Sequence, residues 1–145
     1  MPHGPTRTWR GTSREPEPYY FHDYDRNRFQ YKQVDILKSR ELNNLFLSES
    51  FRKAEIDVVV HLAFVHKPRT PEEITHTLNV EGTKNFLDRC IDSGVRKFIF
   101  RSSDTVYKIR AHTPILLDEE ADLNFDPNAS QYVRDRVDAD MICRA

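Results

Sequence analysis

Three groups of residues able to do chemistry stand where extended apolar segments give out. Asp35 follows residues 29–34, His61, Leu62, Ala63 and Phe64 end the run that begins at Ile56, and Ser102, Ser103 and Asp104 follow Phe98, Ile99 and Phe100. A carboxylate, an imidazole and adjacent hydroxyls can hold or move protons and can bind a polar ligand. Each also has a plainer use. Ser103 can cap its own turn, Asn79 can be a solvated helix residue, and Tyr132 can be surface packing early in a helix. The cluster Arg134, Asp135, Arg136, Asp138 and Asp140 reads equally as a solvated helix face. His61, His66 and His76 have no cysteine or carboxylate at zinc spacing, so no metal site is expected.

The elements that must carry these groups alternate. Residues 1–27 hold Pro2, Pro5, Pro16 and Pro18 among charges and read as an irregular lead-in, with residues 6–13 as a possible edge strand. Phe29, Tyr31 and Val34 give a half-buried strand, and Ser39 can cap a helix through Leu42, Leu45, Phe46 and Phe51. Residues 56–63 are β-branched and nearly continuous in apolar side chains, the pattern of a strand buried on both faces. Thr70 as N-cap, Pro71 at the first helical position and Glu73 three residues after the cap announce a long helix. Its stripe is Ile74, Leu78, Phe86, Leu87, Cys90 and Ile91, with Gly82 where a strand can approach and Gly94 as left-handed C-cap. Residues 98–100 form another buried strand, residues 102–128 a long loop, and Asn128 with Gln131 starts a last helix. This predicts an α/β fold, a doubly wound parallel sheet with ligands at the carboxyl ends of its strands.

Composition limits the rest. The 145 residues suit one domain. A net charge of -1 gives no electrostatic case for nucleic acid or an anionic membrane as partner. The apolar runs fall far short of the ~20 residues of a membrane-spanning helix, and no secretory signal is visible, so a cytoplasmic location is expected. Cys90 and Cys143 read as buried free thiols. The four glycines, at positions 4, 11, 82 and 94, form no phosphate-cradling loop.

From about Phe29 onward the chain resembles the extended short-chain dehydrogenase/reductase family of NAD(P)-dependent nucleotide-sugar epimerases, dehydratases and related reductases. Val34-Asp35-Ile36 is similar to the family's acid-plus-apolar pair flanking adenine. Val60-His61-Leu62-Ala63 resembles the turn along which the dinucleotide passes, with Phe64 next in that turn. Asn79-Val80-Glu81-Gly82-Thr83 matches the family's helix signature, with Asn79 bridging helix and strands or cofactor. Ser103 stands at the position of the catalytic Ser/Thr, with Lys108 where glycine is usual. Tyr132 and Arg136 stand where the family has its catalytic Tyr and, one helical turn on, a Lys that holds the nicotinamide ribose and lowers the phenol's pKa. The family's nucleotide-sugar dehydratases carry an acid at the position of Asp104, though surface aspartate is the reading favoured for it here.

The resemblance implies a partial Rossmann-like domain over residues 28–145, NAD or NADP as cofactor, and a small-molecule substrate such as a nucleotide sugar. Ser13 and Arg14 resemble the turn that reads the adenosine ribose and lean toward the 2′-phosphate of NADP. Arginine in place of lysine, and the missing glycine-rich turn and C-terminal substrate domain, imply impaired cofactor binding and an internal portion of a longer enzyme. The alternative is a truncated, inactive remnant acting as a binding or regulatory module. Relatives often dimerise through their long helices, so a homodimer is expected too.

Overall fold

A computed structural model of the chain describes residues 8–66 and 70–145. They form two compact units, Met1–Ile56 and Asp57–Ala145. Among the described residues no helix is long and apolar enough to cross a membrane.

The first unit is built on β1 (Trp9–Ser13) and β2 (Phe29–Gln33), which pair in parallel from Trp9 opposite Phe29 to Ser13 opposite Gln33. The edge strand expected over residues 6–13 is therefore present from Trp9; Thr6 and Arg7 lie outside the described residues. Between the strands, Phe21 packs on Phe29 at 4.6 Å and on Tyr31 at 5.9 Å, so the proline-rich lead-in folds back as an aromatic cover. Helix α1 (Ser39–Phe46) buries Leu42, Leu45 and Phe46. Its N-cap is Lys38 without a side-chain bond, so Ser39 opens the first turn and does not cap it. The helix also ends sooner than the apolar spacing suggested. Ser48 Oγ donates to the Leu45 carbonyl and accepts from the Phe51 N–H, closing α1 and starting the short α2 (Glu49–Lys53) with one hydroxyl.

The second unit pairs β3 (Val58–His61) with β4 (Lys97–Phe100) in parallel, Val58 opposite Lys97 and His61 opposite Phe100. The crossover between them is helical, as a parallel pair requires. The expectation of burial on both faces fails: Val58 is 41%, Val60 50% and Ile99 41% exposed, while His61 is 3% exposed. The buried side of the pair packs on the crossover, where the His61 ring meets that of Phe86 at 5.3 Å. β-Branched side chains suit a pleated, half-buried surface, so a valine-rich strand marks extended structure without marking burial on both faces.

The crossover begins at α3 (Glu72–His76), with Pro71 as N-cap and no side-chain cap bond. Thr70, the expected cap, therefore sits one residue before the observed one. Pro71 has φ -52° and ψ 139°, and its carbonyl accepts from the N–H groups of Ile74 and Thr75, which starts the helix through backbone alone. Residues Thr77–Glu81 form a π-helical turn before α4 (Gly82–Asp92) continues. Leu78 and Asn79 are the buried residues of this turn. The buried stripe is Thr75, Leu78, Asn79, Gly82, Thr83, Phe86 and Cys90; Ile74 at 50% and Ile91 at 65% exposure fall off it. Gly94, at φ 72°, ends the helix as expected: its N–H donates to the Ile91 carbonyl and that of Val95 to the Cys90 carbonyl.

The long loop after β4 is pinned at two points. A 3-10 turn over Asp104–Val106 buries Val106, and an isolated bridge joins Tyr107 to Leu123. Helix α5 (Gln131–Arg144) then closes the unit, with Ser130 and not Asn128 as N-cap. Both cysteines are free, and burial raises the Cys90 thiol to about 12 and that of Cys143 to about 11.

Candidate functional site

In the first unit, the ends of two parallel neighbours place Arg14 and Asp35 on one edge. Gln33 Nε2 donates to the Arg14 carbonyl at 2.8 Å, and the Val34 N–H to the Ser13 carbonyl at 2.8 Å. Asp35 turns the chain: its Oδ1 accepts from the Leu37 N–H at 3.0 Å, and its own N–H donates to Glu41 Oε2 at 2.8 Å. That bond, with the Lys38 ammonium beside it, lowers the Glu41 carboxyl below its ordinary value. Asp35 and Ile36 are half-buried and Arg14 is exposed.

In the second unit the site is built around the turn after β3. Leu62 and Ala63 leave the strand exposed, and Phe64 turns inward to meet α5. The Phe64 and Tyr132 rings meet edge-on at 5.7 Å, and the His66 ring lies 4.3 Å from Tyr132. The Arg136 guanidinium sits 3.4 Å above the Phe64 ring, 5.5 Å from that of Tyr132, and donates through Nη1 to the Arg101 carbonyl at 2.7 Å. Arg136 is only 4% exposed and thus staples the ends of β3 and β4 to α5.

Asn79 holds the same turn from the other side. Its Oδ1 accepts from the Val65 N–H at 2.8 Å and its Nδ2 donates to the Val65 carbonyl at 3.0 Å. Asn79 thus bridges the crossover helix and the turn after β3. Behind it, Thr83 Oγ1 donates its single proton to the Asn79 carbonyl at 2.6 Å, so it must accept from His61 Nε2 at 3.0 Å. Burial pushes the His61 pKa down to about 4, and the imidazole is neutral near pH 7.

Ser103 is committed to its own turn. Its Oγ donates to Asp104 Oδ1 at 3.0 Å and accepts from the Thr105 N–H at 3.3 Å. Asp104 is exposed, as its plainer reading has it.

An open cleft of about 180 Å³ lies beside these groups, bordered by Val65, His66, Asn79, Gln131, Tyr132 and Asp135 among others. The structure thus brings Phe64, Asn79, Tyr132 and Arg136 to one turn. It corrects the reading of the α5 charges as a solvated face: Asp135 is 0%, Arg136 4% and Asp140 6% exposed. Asp135 accepts from Gln131 Nε2 at 2.5 Å, His76 Nδ1 at 2.8 Å and Asn79 Nδ2 at 3.3 Å. Asp140 is held by Arg144. His76, Gln131 and Asp135 were not singled out as site residues. The only sign in the sequence is that α5 has too little apolar periodicity to form a wholly apolar buried face, which points to that helix without singling out any of the three. Among the described residues no group of three or more His, Cys, Asp or Glu side chains could hold a metal ion.

Comparison with known proteins completes the description. Residues 6–145 match the model of the NAD dependent epimerase/dehydratase family. The chain is 32% identical over 92 residues to 3beta-hydroxysteroid-dehydrogenase/decarboxylase isoform 1 of Arabidopsis thaliana, covering 63% of this chain and 19% of that protein. It is 35% identical over 82 residues to dTDP-D-glucose 4,6-dehydratase of Dictyostelium discoideum, covering 54% of this chain and 18% of that protein. The chain therefore spans about a fifth of the length of these relatives. In fold it is similar to the Bordetella bronchiseptica enzyme WbmH in complex with NAD+, with TM-score 0.70 at 18% identity over 93% of this chain and 42% of that one. The parallel strand pairs, the helical crossover with its Asn-Val-x-Gly-Thr signature and the match over nearly all residues agree, and the chain belongs to the NAD-dependent epimerase/dehydratase family with a Rossmann-type α/β fold.

Proposed function

We propose that this chain is the cofactor- and proton-handling portion of an NAD(P)-dependent enzyme acting on a nucleotide sugar or a related hydroxyl or carbonyl substrate. The observation that carries the reading is Tyr132 on the border of the cleft, its ring held by Phe64 and His66 from the turn after β3. In the second unit, Leu62 and Ala63 are exposed at the strand end, where a dinucleotide would pass. In the first unit, taken by itself, exposed Arg14 offers a cation suited to a 2′-phosphate, and half-buried Asp35 and Ile36 offer an acid and an apolar side chain suited to adenine. When bound, the cofactor supplies hydride transfer at the nicotinamide. Tyr132 would give or take the proton at the substrate oxygen, and Ser103 would hydrogen-bond that oxygen on release from its turn. Phe64 and Asn79 would shape the wall. A substrate with a nucleoside diphosphate is favoured by the relative named for a dTDP-sugar.

One observation favours the second reading, an inactive remnant serving as a binding module. Arg136 stands where a lysine would hold the ribose, yet its guanidinium is buried on Phe64 and bonded through Nη1 to the Arg101 carbonyl, with its Nε buried and without a hydrogen-bond partner.

Thermal melts with millimolar NADH and NADPH separate the two. Saturation at about a hundred times Kd raises stability by about 2.7 kcal/mol. The enzyme reading expects a higher melting temperature with one cofactor, and a larger rise in Arg136→Lys, whose ammonium can leave the ring for the ribose. Melts unmoved by either cofactor in both proteins would leave the remnant.

A further inference from the structure

We propose that Asp135 and His76 are a positioning pair that fixes, through Asn79, the turn presenting Phe64 and His66 to Tyr132; the functional half of this rests on Tyr132 being the proton-transfer residue. None of the roles assigned above uses Asp135. Yet it is the most enclosed carboxylate of its unit, fully buried on α5, and its three donors come from three different places: His76 at the end of α3, Asn79 in the π-helical turn, and Gln131 on its own helix. A carboxylate only accepts, and that settles the orientation of its neighbours. The Asn79 amide must turn Nδ2 toward Asp135, which leaves Oδ1 for the Val65 N–H and lets the same Nδ2 reach the Val65 carbonyl. Reversed, the amide would set oxygen against oxygen at both Asp135 and Val65, and the turn would lose both anchors at once.

His76 completes the arrangement. It meets Oδ1 at 2.8 Å through Nδ1, which must carry hydrogen to do so, while its side chain is 39% exposed. Gln131 shares the same oxygen, and Arg134 Nη2 in turn holds the Gln131 carbonyl oxygen. The carboxylate is thus fixed by donors from both helices it joins, and Asn79 takes its orientation from it. The turn so anchored carries Phe64 and His66, whose rings contact Tyr132. Asp135 acts on Tyr132 only through this chain of contacts and needs no contact with substrate or cofactor.

The test uses the full 145-residue chain, isotopically labelled, with Asp135→Leu, His76→Leu and His76→Asn. The last restores a donor nitrogen near the place of Nδ1. The readouts are hydrogen exchange of the Val65 amide, with Ile99 in β4 as reference, the protonated ring nitrogen of His76, and the Tyr132 ring resonances. We expect wild-type His76 to carry hydrogen on Nδ1. Both leucine variants should speed Val65 exchange by about tenfold, the scale of one net hydrogen bond, and shift the Tyr132 ring resonances while Ile99 is unmoved. His76→Asn should restore both. Should Asp135→Leu fail to fold, the two His76 variants decide, since that side chain is partly exposed. Unchanged Val65 exchange in His76→Leu, no recovery in His76→Asn, or hydrogen on Nε2 alone would overturn the proposal. A chain that binds neither NADH nor NADPH but shows the expected exchange pattern would remove the functional reading and leave the positioning pair standing.

Discussion

His61 shows how a motif residue can be legible in the sequence and still have its physics hidden. Its place at a strand end was visible in the run from Ile56, but a histidine there reads as well for ligand as for core. The structure buries it between Phe86, Phe98 and Phe100, with Thr83 as its polar partner. Loss of hydration holds its folded pKa at about 4, against an ordinary 6.5. The unfolded chain therefore binds a proton first as pH falls. The stability His61 contributes is complete above about pH 6.5, declines through the window down to pH 4, and levels off below it. The loss spans on the order of 3 kcal/mol at most. Urea unfolding from pH 7 to 4 is expected to show this slope in the wild type and a flatter one in His61→Gln. Equal slopes would place His61 in contact with water. Asp135 and Arg136 illustrate the opposite case. A run of alternating charges on a helix carries no mark of which charges go inward, because burial depends on partners distant in sequence: the His76 and Asn79 donors to Asp135 and the Arg101 carbonyl that accepts from Arg136.

At the scale of elements, punctuation was readable and continuity was not. Gly94 declared the end of α4, and the structure supplies both backbone bonds that its left-handed conformation permits. Gly94→Ala is expected to cost about 1 kcal/mol, since nothing lies within 4 Å of an added Cβ and only the backbone conformation resists it. Gly94→Asn should cost less, and chemical denaturation of the two variants checks the order; equal and negligible losses would deny the strained cap. The expected caps at Ser39, Thr70 and Asn128 each fell one to two residues out, since backbone carbonyls or neighbouring residues do the work there. The π-helical turn left no trace in the apolar spacing. The buried residues of that turn are Leu78 and Asn79, and Asn79 there spans from Val65 to Asp135. Ile91 lies about a hundred degrees around α4 from buried Cys90 and falls outside its Gly82, Thr83, Phe86 and Cys90 stripe, and Ile74 likewise lies beside Thr75 and not on the buried face.

Across the whole molecule, the order strand, helix, strand was enough to predict parallel pairing and an α/β fold, and the family motifs fell in a sequence that the structure keeps. What composition could not supply was the degree of enclosure: Val58, Val60 and Ile99 read as interior and stand open. Chemistry is clearest where the motifs converge, at the turn after β3 facing α5. We propose as the central claim that this turn and Tyr132 receive the nicotinamide end of a dinucleotide. Its most direct test is the titration of isotopically labelled chain with NAD+ and NADP+, following backbone amides residue by residue. In the second unit, saturating shifts are expected at Leu62, Ala63 and Phe64 and at Tyr132, with little movement along the exposed side of α4. Saturating shifts in that unit that bypass residues 62–64 and Tyr132, or none with either nucleotide, would contradict it.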